Sequence, residues 1–161
     1  MWVKKFRKHN KIKNKLLSLI DKMPNESYQT DKDTLATKSD WNLPKDFERD
    51  YLKFFYKEIS NFITETAKQF YCKNWTIHNA WFMQYFKNDK HDWHTHPQSN
   101  LSAIYYLELP KKELVTEFKD KKLKAEEGDV LIFPSYMLHR SPINKSNERK
   151  TVISFNCDFY N

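Results

Sequence analysis

The feature that most constrains this chain is a change of hydrophobic period at Phe70. Before it, Phe47, Tyr51, Phe54, Phe55, Ile59, Phe62, Ile63, Ala67 and Phe70 recur at helical spacing and predict one amphipathic helix over 45–70. Pro44 suits its first turn, and Asp46 and Glu48 complement its dipole. After Phe70 the apolar runs are short and β-rich: WTIHNAWFMQYF (75–86), LSAIYYLEL (101–109), a stretch near Leu114–Phe118, DVLIFP (129–134) and KTVISFNCDF (150–159). Several short strands behind two helices predict an α+β, mainly β chain: a sandwich or jelly roll with helices on one face.

The first helix is read from Ile12, Leu16, Leu17, Ile20 and Met23, spanning 10–23 and ended by Pro24. Residues 24–43 are polar and rich in turn formers, a loop layer with one short strand expected near Leu35–Ala36 or Trp41. Gly128, the single glycine, stands where a tight turn would feed the strand DVLIF. At 161 residues, the expectation is a single domain over 1–161, with 1–70 as helical support and 71–161 as the β core.

The formal charge of +7 invites a nucleic-acid reading, but its placement argues otherwise. Residues 1–23 carry eight Lys or Arg against Asp21 alone, and the remainder of the chain balances to neutrality. A nucleic-acid or other anionic partner is therefore expected only through the basic N-terminus, whose plainer reading is a solvated helix face. No apolar run approaches the length of a spanning helix and the N-terminus has no signal core, so no membrane partner is expected. Two cysteines, Cys72 and Cys157, imply neither a disulfide scaffold nor a cysteine zinc site, and the compartment is read as reducing cytoplasm. Cys157 lies within a strand pattern and is expected to face the core, which leaves no nucleophile scheme. One glycine excludes GxGxxG and P-loop chemistry.

Chemistry points instead to histidine. His91, His94 and His96 fall within six residues (HDWHTH), and if 94–96 lie in extended backbone, His94 and His96 share a face where two imidazoles can hold one cation. Asp92 offers an oxygen ligand as an alternative by the same spacing. His139 follows an apolar strand that Pro134 interrupts, which places it at a rim. Arg149, ten residues later, opens the strand KTVISFN, where a guanidinium could grip a carboxylate at two points. Each histidine or arginine alone is better read as a loop or surface residue; the order and spacing of the four favour a metal with an anion socket.

These residues resemble the Fe(II)- and 2-oxoglutarate-dependent dioxygenases with a double-stranded β-helix core, more narrowly the small 2-oxoglutarate/Fe(II) oxygenases of bacteria and their phages. The resemblance runs through WFMQYFKNDKHDWHTHPQSNLSAIYYLELP and EGDVLIFPSYMLHRSPINKSNERKTVISFN, within residues 80–156. It implies a jelly-roll, cupin-like core, Fe(II) as metal and 2-oxoglutarate as cosubstrate. His94, His96 and His139 would be the metal ligands, and no catalytic residue beyond them is implied. Arg149, Thr151, Tyr106 and Tyr85 would bind the cosubstrate. The departure is His96, where the usual pattern has a carboxylate; three imidazoles leave the iron one unit more positive. Trp93, Asn156 and the 24–43 loop are candidates for the substrate mouth, although a packed ring is the plainer reading of Trp93.

The resemblance implies hydroxylation of an unidentified small-molecule or peptide substrate by dioxygen, with release of succinate and CO2. Two alternatives stay open: a cupin-like three-histidine metalloprotein that does not use 2-oxoglutarate, and a non-catalytic metal-binding module.

Overall fold

The computed structural model of the chain describes residues 1–30, 33–97 and 99–161. Asp31 and Lys32 of the expected loop layer, and Gln98 of the HTHPQSN segment, lie outside the described residues. In chain order the elements are β1 (Trp2–Lys5), α1 (His9–Asp21), β2 (Tyr28–Thr30), β3 (Thr34–Ala36), β4 (Lys38–Ser39), α2 (Asp50–Gln69), β5 (Asn74–Tyr85), β6 (His91–His94), β7 (Leu101–Glu108), β8 (Glu117–Phe118), β9 (Asp129–Pro134), β10 (His139–Ser141) and β11 (Lys150–Tyr160).

Both helices form where the period places them, but α2 begins at Asp50 rather than at residue 45. The reason lies in Arg49. Its guanidinium donates to the Asp40 carboxylate and to the carbonyls of Asp40, Leu43, Pro44 and Phe47, which ties residues 40–47 into a turn. Tyr51, Phe55, Ile59 and Ile63 on the buried stripe are each fully enclosed, and each such side chain contributes about 1.5–3 kcal/mol of transfer free energy.

A six-stranded antiparallel sheet runs in the order β1-β9-β7-β11-β5-β4, and a smaller sheet runs β6-β10-β8. Strands β2 and β3 make a separate hairpin. The arrangement is the double-stranded β-helix, with the large sheet braced by α1 and α2. Alternation along the central strands divides the core in two. Ala103, Tyr105, Leu107, Ile153, Phe155 and Cys157 face the helices, while Ile104, Tyr106 and Val152 face into the barrel with Met83 and Tyr85.

The N-terminus differs from a free basic arm. Trp2–Lys5 pair with Ile132–Asp129 as the edge of the large sheet, and Lys38–Ser39 close its other edge, so the segment before residue 70 supplies two strands of the core sheet as well as its helices. Among the described residues, no helix is long and apolar enough to cross a membrane. Gly128 adopts φ +85° directly over His9, where an added Cβ would lie 2.8 Å from the imidazole Cγ. The turn and the close approach both require glycine.

The two sheets bring distant stretches together. In the small sheet His139 stands opposite His94, and in the large sheet Lys150 stands opposite Tyr85, with the barrel interior between them.

Candidate metal centre

One ring nitrogen of each of His94, His96 and His139 lies within 4.8 Å of the others. His94 is the last residue of β6, His96 follows on the extended segment whose amide donates to the Ser135 carbonyl, and His139 opens β10. The protonation pattern of two rings follows from their partners. His94 Nδ1 donates to the Asp92 carbonyl at 2.7 Å and His139 Nδ1 donates to the Met137 carbonyl at 2.8 Å. A carbonyl oxygen can only accept, so in each neutral ring Nε2 carries the lone pair. Burial pushes the His139 imidazole down to about 3 and His96 to about 4, with the neighbouring His94 as a further cause in both. His94 is lowered by burial as well, against the opposing effect of its Asp92 carbonyl. Neutral imidazoles with oriented lone pairs, converging from two parts of the chain, are a donor set suited to a divalent transition metal.

The anion socket differs from the sequence expectation. Arg149 does not enter the barrel. Its Nε and Nη2 make a two-point contact with the Glu108 carboxylate at 2.8 and 3.1 Å, and Nη1 donates to Asp21 at 3.0 Å, which binds the end of α1 to the large sheet. Thr151 shares that outward parity; its hydroxyl donates to Glu108 and accepts from Gln84. The adjacent residue, Lys150, takes the inward position. It is 1% exposed, donates to the Leu114 carbonyl at 2.6 Å and to Ser141 Oγ at 2.7 Å, and lies in the wall of the cavity that holds the three histidines. Burial lowers its ammonium to about 7, against the opposing effect of Glu117.

The other expected cosubstrate residues divide. Tyr85 lies in the cavity wall with Lys150 Nζ 5.2 Å over its ring, and burial raises its phenol. Tyr106 faces inward, but its hydroxyl donates to Thr116 Oγ1 at 2.9 Å and accepts from the Thr116 amide at 3.2 Å. Burial pushes it up to about 12. Asp92 is exposed and offers the cluster its carbonyl, not its carboxylate. Trp93 points away from the cavity into an outer groove, beneath the guanidinium of Arg140 at 4.7 Å and the ammonium of Lys119 at 5.9 Å. Asn156 does line the cavity and accepts from Ser102 Oγ at 2.9 Å.

Sequence reasoning missed Lys150, Ser141 and, at the mouth, Trp81; the 24–43 loop and Asn156 were candidates for the mouth, and Tyr28, Trp41 and Asn156 line it. A second cavity, of about 280 Å³, shares His94 and His96 in its wall and is framed by Tyr28, Trp41 and Trp81. Trp41 and Trp81 pack edge to face at 4.6 Å, and Tyr28 and Trp41 come from the 24–43 stretch. The signal for Lys150 was its strand parity, which could have been matched to Tyr85 on the paired strand.

Residues 79–126 match the model of a family described as "Putative 2OG-Fe(II) oxygenase". The fold is similar to that of a viral collagen prolyl hydroxylase from Paramecium bursaria Chlorella virus-1 in its 2-oxoglutarate complex. That likeness has a TM-score of 0.55 at 16% identity and covers 98% of this chain and 96% of that one. It is also similar to a prolyl hydroxylase from Trichoplax adhaerens in complex with a hypoxia inducible factor peptide fragment (TM-score 0.63, 11% identity, 99% and 82% covered). A third likeness is to an oxidoreductase of the 2OG-Fe(II) oxygenase family from Burkholderia pseudomallei (TM-score 0.61, 12% identity, 91% and 77% covered). No curated protein matches the chain. Residues 79–126 thus match the model of a 2OG-Fe(II) oxygenase family, and the double-stranded β-helix is the fold this chain shares with these solved oxygenase structures. Enzymes of this class take Fe(II) as metal and 2-oxoglutarate as cosubstrate. The three-histidine cluster is a donor set that fits such a metal.

Proposed function

We propose that this chain is a 2-oxoglutarate-dependent Fe(II) hydroxylase whose metal is held by Nε2 of His94 and His139 with a ring nitrogen of His96, and whose cosubstrate is anchored by Lys150. The observation that carries this reading is the shared cavity, whose wall holds the three imidazoles, the buried Lys150 ammonium, Tyr85 and Ser141. When bound, iron and 2-oxoglutarate would let dioxygen convert a substrate C–H to C–OH, one oxygen atom entering the substrate and the other the succinate released with CO2.

The chain's own residues bind, orient and exclude water. Lys150 pairs with the distal carboxylate of 2-oxoglutarate, and because it is buried, that charge-assisted contact is little screened by solvent. Ser141 and the Leu114 carbonyl hold the ammonium in place before the cosubstrate arrives. The apolar wall made by Ile104, Phe133 and Val152 keeps the socket dry. The prime substrate, a small molecule or a peptide, enters through the mouth at Tyr28, Trp41 and Trp81, where no Lys, Arg, Asp or Glu lines the wall among the described residues, which suits an uncharged group.

The all-imidazole donor set favours a second reading, a three-histidine metalloprotein that acts without 2-oxoglutarate. Turnover of 2-oxoglutarate with Fe(II) and ascorbate, followed by succinate release, decides between the two. Succinate formed by the wild type and lost in Lys150→Met supports the hydroxylase. Metal binding with no succinate, with or without candidate substrates, supports the second reading.

A further inference from the structure

A fourth imidazole stands beside the three and does not join them. His91, at the start of β6, lies face to face on His94 with ring centroids 3.8 Å apart and planes 10° apart. Its ring walls both the inner cavity and the mouth, and the Tyr28 ring lies 5.5 Å from it.

The surroundings of the other two rings show what such a neighbour does. His139 has its Nδ1 tied to the Met137 carbonyl and its ring set edge to face against Phe133 at 4.7 Å, with Phe118 at 6.0 Å. His96 rests against Trp81 at 5.6 Å. His94 has its Nδ1 tied to the Asp92 carbonyl, and the ring in closest contact with its face is His91. A single hydrogen bond at Nδ1 still permits the imidazole to swing about that contact; a ring packed on its face removes the swing. At His139 a phenyl ring provides the wall, so the wall needs no nitrogen.

We propose that His91 is a positioning residue: by stacking on His94 it holds Nε2 of that ring toward the metal, and it acts through its face rather than through a ring nitrogen. The proposal rests on the reading of His94, His96 and His139 as the metal centre.

Titration of the full-length protein with Co(II), followed by its visible ligand-field absorption, tests this against His91→Ala and His91→Phe. His91→Ala weakens Co(II) binding by about tenfold and alters the bands, in line with the usual cost of losing an orienting neighbour. His91→Phe restores the wild-type bands and binds within about twofold of wild type, since a phenyl ring keeps the stack. Equal binding by His91→Ala and wild type overturns the proposal. So does a folded His91→Phe that binds Co(II) as weakly as His91→Ala, or clearly more weakly than wild type should His91→Ala fail to fold. No Co(II) uptake by the wild type overturns the metal-centre reading itself, a result distinct from the other two.

Discussion

Lys150 stands directly across the large sheet from Tyr85, with its ammonium 5.2 Å over the phenol ring and hydrogen-bonded to Ser141, while its neighbour Arg149 points the opposite way to Glu108. One step along β11 thus separates a buried cation in the wall of the histidine-lined cavity from a guanidinium that fastens the outside of the fold.

The two residues are therefore expected to fail differently. Lys150→Met raises the Kd for 2-oxoglutarate by roughly 100-fold, about 3 kcal/mol, because a carboxylate is left in a dry socket without its partner. Arg149→Ala leaves that Kd within about threefold and lowers stability by about 1 kcal/mol, the worth of a partly exposed ion pair. Calorimetric titration under anaerobic conditions, paired with thermal melts, separates these outcomes; equal losses of affinity in both variants contradict the assignment.

The buried ammonium also makes stability depend on pH. In the folded protein Lys150 titrates near 7, while in the unfolded chain a lysine titrates near 10.4. Between those values the unfolded chain holds a proton that the native chain has lost, so this residue makes unfolding free energy rise with pH across the window. Below about pH 7 both states carry the charge, and the native state bears its full desolvation cost. Urea denaturation at pH 7 and pH 9 is expected to show a larger gain with pH for wild type than for Lys150→Met. Identical gains contradict a buried, down-shifted lysine.

On the proposed reading, His96 stands where the oxygenases that this sequence resembles have a carboxylate. Replacing it by aspartate adds one negative charge to the donor set and stabilises the ferric form over the ferrous form. Redox titration of the iron-loaded proteins is expected to give a lower midpoint potential for His96→Asp than for wild type. An unchanged or higher potential contradicts a direct contact between His96 and the metal.

Gly128→Ala tests the frame beneath the site. The positive φ and the 2.8 Å approach to His9 both oppose a Cβ. The expected loss is about 2 kcal/mol, or roughly 4–8 °C in Tm for a chain of this size, with Co(II) affinity unchanged. A melting temperature within 1 °C of wild type would remove the strain argument.

Much of this was legible in the chain because two periodicities are clean. The runs at 101–109 and 129–134 reappear as strands with nearly the same bounds, and the α2 stripe as a helix that ends where expected but starts five residues later. The HxH spacing and the histidine after Pro134 pointed to the cluster that the sheets assemble. The anion socket was harder. In β11 the residues on both faces are apolar and buried, Val152 on one side and Ile153 and Phe155 on the other, so alternation alone does not say which face looks into the barrel. Chemistry then favoured the guanidinium over the lysine beside it. Strand β1 was hidden by its lysines, since an edge strand can carry Lys4 half-buried and Lys5 exposed. The start of α2 was set by Arg49 reaching back to Asp40, a contact between a helix end and a loop that no local pattern encodes.

The most direct test of the account is an anaerobic titration of 2-oxoglutarate into the Fe(II)-loaded protein, watched through the visible charge-transfer absorption of the chelated cosubstrate. The account predicts a saturable band in the wild type, loss of the band in His139→Ala, and a band in Lys150→Met that appears only at roughly 100-fold higher 2-oxoglutarate. No band in the wild type, or a band indifferent to both substitutions, would contradict it.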